Sequence, residues 1–179
     1  MCFQVPAMAM NGVCLVISPL IALMKDQVEN LRKINITAFS IHSGMSRKEV
    51  LQTLQVAGNS NCKFLYVSPE RLETNLFREY LPSLGVCLVA VDEVHCISQW
   101  GYDFRPSYLK IAGLRDELPR VPVIALTASA TGEVQNDICE KLLFREHVVF
   151  RQSFERPNLS YSAFDVSAKT NRIVEVLSK

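Results

Sequence analysis

The six residues Val86-Cys87-Leu88-Val89-Ala90-Val91 carry no polar side chain at odd or even positions. A strand with one wet face alternates apolar and polar residues, so an unbroken apolar run is buried on both faces. Such strands belong to parallel sheets, whose helical crossovers cover both faces. The run ends on Asp92-Glu93-Val94-His95. Two carboxylates and an imidazole therefore fall at the carboxyl end of a central strand, the edge where open α/β sheets bind ligands.

The rest of the chain repeats the same alternation of short apolar runs and helical patterns. Strands are predicted at 13–18, 38–42, 63–68, 86–91, 122–127 and 147–152. Between them, 19–33 carries Leu20, Met24, Val28 and Leu31 on one helical face, and 46–57 opens with the capping box Ser46-Arg47-Lys48-Glu49. Residues 106–118 space Ile111, Leu114 and Leu118 helically, and 132–142 do the same with Val134, Ile138 and Leu142. The predicted fold class is α/β, a doubly wound, mostly parallel sheet flanked by helices.

Composition excludes several classes. The chain has 179 residues, 49% hydrophobic and 21% charged, which suits a globular domain with a sizeable core. A formal net charge of +1 supplies no global basic field, so any nucleic-acid contact must be local. The six cysteines show no C-x-x-C pair, which points to reduced thiols and a cytoplasmic setting, in a bacterium the cytoplasm or nucleoid. No apolar stretch approaches the roughly 20 residues that span a bilayer, so no membrane partner is expected. The opening Met1-Cys2-Phe3-Gln4-Val5-Pro6 has no basic n-region, so no signal peptide is expected.

The acid pair suits phosphate chemistry. One carboxylate, Asp92, can hold Mg²⁺ through water, while Glu93 orients an attacking water on a nucleotide γ-phosphate. Trp100, the sole tryptophan, follows within ten residues, with Tyr102, Phe104 and Arg105 beside it. Stacking groups next to such a centre suggest an ATPase that senses nucleic acid. Their glycine and polar spacing favours a loop over core. Two junctions, Ile17-Ser18-Pro19-Leu20 and Val67-Ser68-Pro69-Glu70, pass from strand to helix through Ser-Pro. Serine is expected to cap and proline to take the first helical position, presenting N–H groups to phosphates on the edge that carries Asp92. Ser-Pro is also simply a good helix start, and Lys25 reads equally as a surface lysine or a phosphate contact. His42 and His147 read as structural or solvated, Arg47 and Lys48 as a solvated first turn.

These motifs together resemble the RecQ family of helicases. Ser18-Pro19-Leu20-Ile21-Ala22-Leu23-Met24-Lys25-Asp26-Gln27-Val28 is similar to its motif Ia, and Asp92-Glu93-Val94-His95 to its DExH box. The stretch from Cys96 to Pro106 resembles the aromatic-rich loop that separates RecQ enzymes from other superfamily 2 helicases. Ala125-Leu126-Thr127-Ala128-Ser129-Ala130 is similar to motif III, with serine where the family often has threonine. The resemblance implies an ATP-dependent 3′-to-5′ DNA helicase with two RecA-like lobes, using ATP and Mg²⁺ and acting on single-stranded and partly duplex DNA. It implies that Asp92 holds Mg²⁺ with Glu93 nearby as the water-activating residue, and that His95 couples nucleotide to DNA. Thr127 and Ser129 would relay between the two sites. Ser18, Pro19, Lys25, Ser68, Gln99, Trp100, Phe104 and Arg105 would contact DNA.

On the same resemblance, residues 1–153 are a partial first lobe, and 154–179, beginning Phe154-Glu155-Arg156-Pro157-Asn158, are a linker and the start of the second. Cys2-Phe3-Gln4-Val5-Pro6 would directly follow a Walker A loop, yet no G-x-x-x-x-G-K-[ST] occurs in the 179 residues. The chain alone is therefore expected to be inactive, and strands that would flank the Walker A strand are expected to carry unpaired N–H and C=O groups unless they close up. Alternatives are a DExH-box RNA helicase or translocase, which would lack the loop from Gln99 to Arg105, and a non-catalytic nucleic-acid-binding module, which would not need the acid pair.

Overall fold

The sheet grows outward from its first strand. β1 (Val13–Ile17) is central, with β3 (Phe64–Val67) on one side and β4 (Val86–Val91) on the other. β2 (Ala38–Ile41) lies outside β3, and β5 (Val123–Ala125) lies outside β4; every pairing is parallel. The computed structural model describes residues 2–178 apart from 102, 153–155, 161, 162, 164 and 166. The α/β doubly wound fold expected from the sequence is the fold found.

Helices cover both faces. α1 (Gln4–Ala9) and α2 (Ile21–Lys33) pack on the face carrying Cys14, Val16, Phe64, Tyr66 and Ala90. The opposite face, with Leu15, Ile17, Leu65, Val67 and Val91, takes α3 (Arg47–Asn59), α4 (Asn75–Tyr80), α5 (Leu114–Glu117) and α6 (Gly132–Lys141). All five residues of β1 are buried, which is why its sequence shows no alternation. Each buried Leu or Ile of this core contributes about 1.5–3 kcal/mol of transfer free energy. The capping box of α3 is present, with Ser46 N–H donating to Glu49 Oε2 at 2.7 Å and Glu49 N–H to Ser46 Oγ at 3.3 Å.

Several expectations need correction. Residues 147–152 form no strand: they are exposed and belong to a separate unit, Glu146–Lys179. Apolar β-formers make a strand only where N–H and C=O groups find a ladder. Residues 106–118 are mainly a 3₁₀ helix, Pro106–Gly113, running into the short α5. Tyr108, Ile111 and Leu114, all buried, recur every three residues, the 3₁₀ period. α2 begins at Ile21 with Leu20 as its cap residue, so Ser18 does not cap it. Ser18 instead extends the ladder, its N–H donating to Val67 O at 3.2 Å. Pro69 does take the first position of a turn, but that turn is only Pro69–Arg71 and Ser68 makes no side-chain cap.

The strands pair side by side from β2 to β5, with one register shift in the β1–β4 pairing, where Val13 faces Val86 and Cys14 faces Leu88. In the second unit, α7 (Lys169–Leu177) carries an Arg172–Glu175 ion pair at 2.7 Å. Phe154 and Glu155 of the expected linker lie outside the described residues. Among the described residues, no helix is long and apolar enough to cross a membrane.

Candidate functional site

Strand order decides where the site lies. After β1 the chain turns toward β3 and β2, and it later returns to build β4 and β5 on the other side. The carboxyl ends of β1 and β4 thus form a topological switch point, where open sheets leave a crevice. Asp92 N–H donates to Ile17 O at 2.8 Å, continuing the ladder one step, and so Asp92 stands beside Ser18. A cleft of about 200 Å³ opens there, its lining including Cys2, Phe3, Ser18, Gln27, Tyr66 and Asp92.

The acid pair is built rigidly. Tyr108, fully buried, donates its hydroxyl to Asp92 O at 2.9 Å, and Leu126 O accepts from Val94 N–H at 2.9 Å. Between these anchors Glu93 takes a left-handed conformation, φ +47°, which costs a non-glycine residue about 1 kcal/mol or more. Asp92 Oδ1 accepts Glu93 N–H at 3.0 Å. Burial pushes the Asp92 carboxyl above its ordinary pKa, and that hydrogen bond only partly opposes it. A half-buried carboxylate made costly by desolvation suits a cation. Mg²⁺ takes few protein ligands and keeps waters and phosphate oxygens for the rest, so one or two carboxylates suffice. The residues therefore fit Mg²⁺. They do not supply a triphosphate cradle, since the sequence contains no Walker A lysine loop. No cluster of three or more His, Cys, Asp or Glu suited to a metal exists among the described residues.

His95 stands between two partners. Its Nδ1 lies 2.8 Å from Thr127 Oγ1 and 3.3 Å from Glu93 Oε2. One ring nitrogen offers one proton or one lone pair, so it serves the hydroxyl or the carboxylate but not both fully. Thr127 Oγ1 also accepts Ser129 N–H at 3.3 Å, which ties Ser129 into the same network.

The aromatic segment forms turns, as expected. Trp100 is 76% exposed and Gln99 is exposed, while Phe104 is half-buried; Tyr102 lies outside the described residues. Gly101 is required by close approach, because a Cβ there would stand 2.7 Å from His95 O. Arg105 is held at both ends. Its N–H donates to Cys96 O at 2.8 Å, its guanidinium Nε and Nη2 reach Asp103 Oδ2 at 3.1 and 2.8 Å, and Nη1 reaches Pro19 O at 3.4 Å. The Arg105 hydrogen bonds hold Asp103 below its ordinary pKa. Burial pushes the Cys96 thiol up to about 11, which disfavours the thiolate.

The predicted residues therefore fall into three groups. Asp92, Glu93, His95, Thr127 and Ser129 are joined by hydrogen bonds or close contacts. Arg105 and Pro19 touch, linking the aromatic segment to the β1 edge. Ser18 and Ser68 are buried at that edge, and Lys25 is exposed on α2. Sequence reasoning missed Tyr108, Asp103 and Arg71. The spacing over 106–118 rests on Ile111, Leu114 and Leu118 and assigns Tyr108 nothing, and no signal marks a hydroxyl aimed at a backbone carbonyl.

Residues 1–138 match the DEAD/DEAH box helicase family. The chain belongs to that family. Its resemblance to RecQ extends well beyond the motifs. It is 47% identical over 161 residues to the ATP-dependent DNA helicase RecQ of Bacillus subtilis, covering 89% of this chain and 27% of that protein. The RecQ protein of Haemophilus influenzae is 43% identical over 162 residues, 90% of this chain and 26% of its own length. ATP-dependent DNA helicase Q-like 4B of Arabidopsis thaliana is 44% identical over 184 residues, 99% of this chain and 16% of that one. The chain thus spans about a quarter or less of these relatives. The helicase domain of Pyrococcus furiosus Hef shares the fold, with TM-score 0.57 and 20% identity over 86% of this chain and 32% of that one.

Proposed function

We propose that this chain is part of the first motor lobe of a RecQ-like, ATP-dependent 3′-to-5′ DNA helicase. The carrying observation is the contact of His95 Nδ1 with both Glu93 and Thr127, beside a loop whose Arg105 reaches Pro19. Asp92 would hold Mg²⁺, and Glu93 would orient and deprotonate the attacking water. Bound Mg²⁺ and ATP would supply the reacting phosphoryl group and neutralise its charge. His95 exchanges its hydrogen bond between Glu93 and Thr127, so movement of motif III alters how Glu93 is held. Trp100 and Phe104 stack on bases of single-stranded or partly duplex DNA, and Arg105, Ser18, Pro19, Lys25, Ser68 and Gln99 contact the strand. Stacking tolerates any sequence, which a translocating motor requires.

On this reading residues 1–153 belong to the first lobe, 154–179 lead into a second lobe of the same protein, and the site of action is the cytoplasm or nucleoid. The 179 residues alone do not hydrolyse ATP, because no lysine loop binds the β- and γ-phosphates. The test is single-stranded-DNA-stimulated ATPase activity in Mg²⁺, with this chain beside one extended at both ends to the relatives' length. Activity confined to the extended protein and abolished by Glu93→Gln is the expected result. Activity in the short chain refutes its inactivity, and silence in both favours a non-catalytic nucleic-acid-binding module.

A further inference from the structure

Hydrogen bonds close the chain between the acid pair and the far end of the aromatic segment into a ring. Cys96 N–H donates to Glu93 O at 3.0 Å, Arg105 N–H to Cys96 O at 2.8 Å, and Tyr108 N–H to Arg105 O at 2.9 Å. The Tyr108 hydroxyl completes the ring, donating to Asp92 O at 2.9 Å. Residues 98–104 are therefore an excursion whose base is fastened to the acid pair. Its tip is exposed at Gln99 and Trp100, whereas Val94, Cys96, Ile97 and Tyr108 at the base are at most 1% exposed.

A base of this kind transmits movement rather than absorbing it, because close-packed interiors are stiff and shift between discrete arrangements. Arg105 immediately precedes the 3₁₀ helix Pro106–Gly113, and Tyr108 lies in the first turn of that helix. A displacement of Arg105 therefore carries Tyr108 with it. The Arg105 side chain is engaged by Asp103 and, at 3.4 Å, by Pro19 O, a bond long enough to exchange for a group on DNA. At the other end of the ring Glu93 keeps its left-handed conformation between two anchors, Tyr108 on Asp92 O and Leu126 O on Val94 N–H. A strained residue persists only while its surroundings fix it, so moving one anchor moves the Glu93 carboxylate. The Leu126 anchor belongs to motif III; the Tyr108 anchor leads to the aromatic segment.

We infer that Tyr108 is a positioning residue that carries the engagement of DNA at Arg105 to the water-orienting Glu93. The inference rests on the helicase reading above and adds to it a route separate from the exchange of His95 between Glu93 and Thr127. Tyr108 touches neither nucleotide nor DNA; it acts through the Asp92 carbonyl. Phenylalanine fills the same space, so packing alone does not call for the hydroxyl. What the hydroxyl supplies is a connection between two stretches 16 residues apart. One hydrogen bond bounds the coupling it can carry at about tenfold.

The experiment compares Tyr108→Phe with the unsubstituted protein, both extended at each end to the relatives' length. ATPase rates are measured with and without saturating single-stranded DNA, oligonucleotide affinity by fluorescence anisotropy, and amide exchange at 92–96 with and without DNA. The ratio of stimulated to unstimulated rate is expected to fall about tenfold, while DNA affinity and KM for ATP change by less than about twofold. DNA should alter exchange at 92–96 in the unsubstituted protein and not in Tyr108→Phe. Ile111→Val, a buried change on the same helix with a comparable cost in Tm, should keep the ratio, which separates lost coupling from lost stability. An unchanged ratio in Tyr108→Phe, an equal fall in Ile111→Val, or a fall explained by weaker DNA binding overturns this inference and leaves the helicase reading standing. Absence of DNA stimulation in the unsubstituted protein overturns both.

Discussion

Tyr108→Phe removes one oxygen and keeps the ring. The ring is fully buried in the core, so its packing persists and the hydroxyl alone is tested. What disappears is the 2.9 Å hydrogen bond to Asp92 O, the anchor beneath the acid pair. A neutral hydrogen bond contributes about 0.5–1.5 kcal/mol net, and a part-buried carbonyl left without its donor adds to the loss, so we expect about 1–2 kcal/mol. For a chain of this length each kcal/mol moves Tm by about 2–4 °C, giving a fall of roughly 2–8 °C. Thermal and urea unfolding followed by circular dichroism measure it, and the urea m-value should not change because the buried surface does not. A Tm within about 1 °C of the unsubstituted chain, with m unchanged, would refute the reasoning, since Asp92 O would then have another donor.

Three further outcomes follow from the same geometry. Asp92→Asn should raise Tm at pH 7 without Mg²⁺, because burial raises the carboxyl pKa and the ionised form destabilises the fold. The sign is set by linkage: a raised folded pKa favours the fold below the unfolded value, so the advantage of Asn should shrink as pH falls from the raised folded pKa to the ordinary Asp value. Arg71→Ala should cost about 2 kcal/mol by releasing the loop carbonyls of His42, Ser43 and Met45, to which its guanidinium donates, and amide exchange at 43–46 should accelerate while that of β1 does not. Trp100→Ala should change stability by less than about 0.5 kcal/mol, because the ring is exposed. The same change should weaken single-stranded DNA binding by about 1–3 kcal/mol in an anisotropy titration.

Much of the fold was legible because it rests on local pattern. The apolar runs at 13–18, 38–42, 63–68 and 86–91 became β1 to β4 because buried parallel strands need no alternation. Residues 147–152 show the limit of that argument, since their β-forming side chains look the same with or without a ladder partner. The 106–118 segment shows another limit, as spacings of three and four residues fit both helix types and packing chose the 3₁₀ form. Ser18 failed as a cap because the ladder continues through its amide to Val67 O and α2 starts only at Ile21, with Leu20 as its cap residue.

By itself the sequence determined that strands would be buried on both faces, that an acid pair would end one of them, and that the motifs resemble RecQ. Those properties live within a few consecutive residues, where periodicity and side-chain chemistry act directly. The tertiary structure alone decided which segments meet: Arg105 with Pro19, 86 residues apart, Tyr108 with Asp92, and His42 beside Ser68. Each of those meetings depends on the strand order β2-β3-β1-β4-β5, which brings distant strand ends to one edge and which no local pattern encodes.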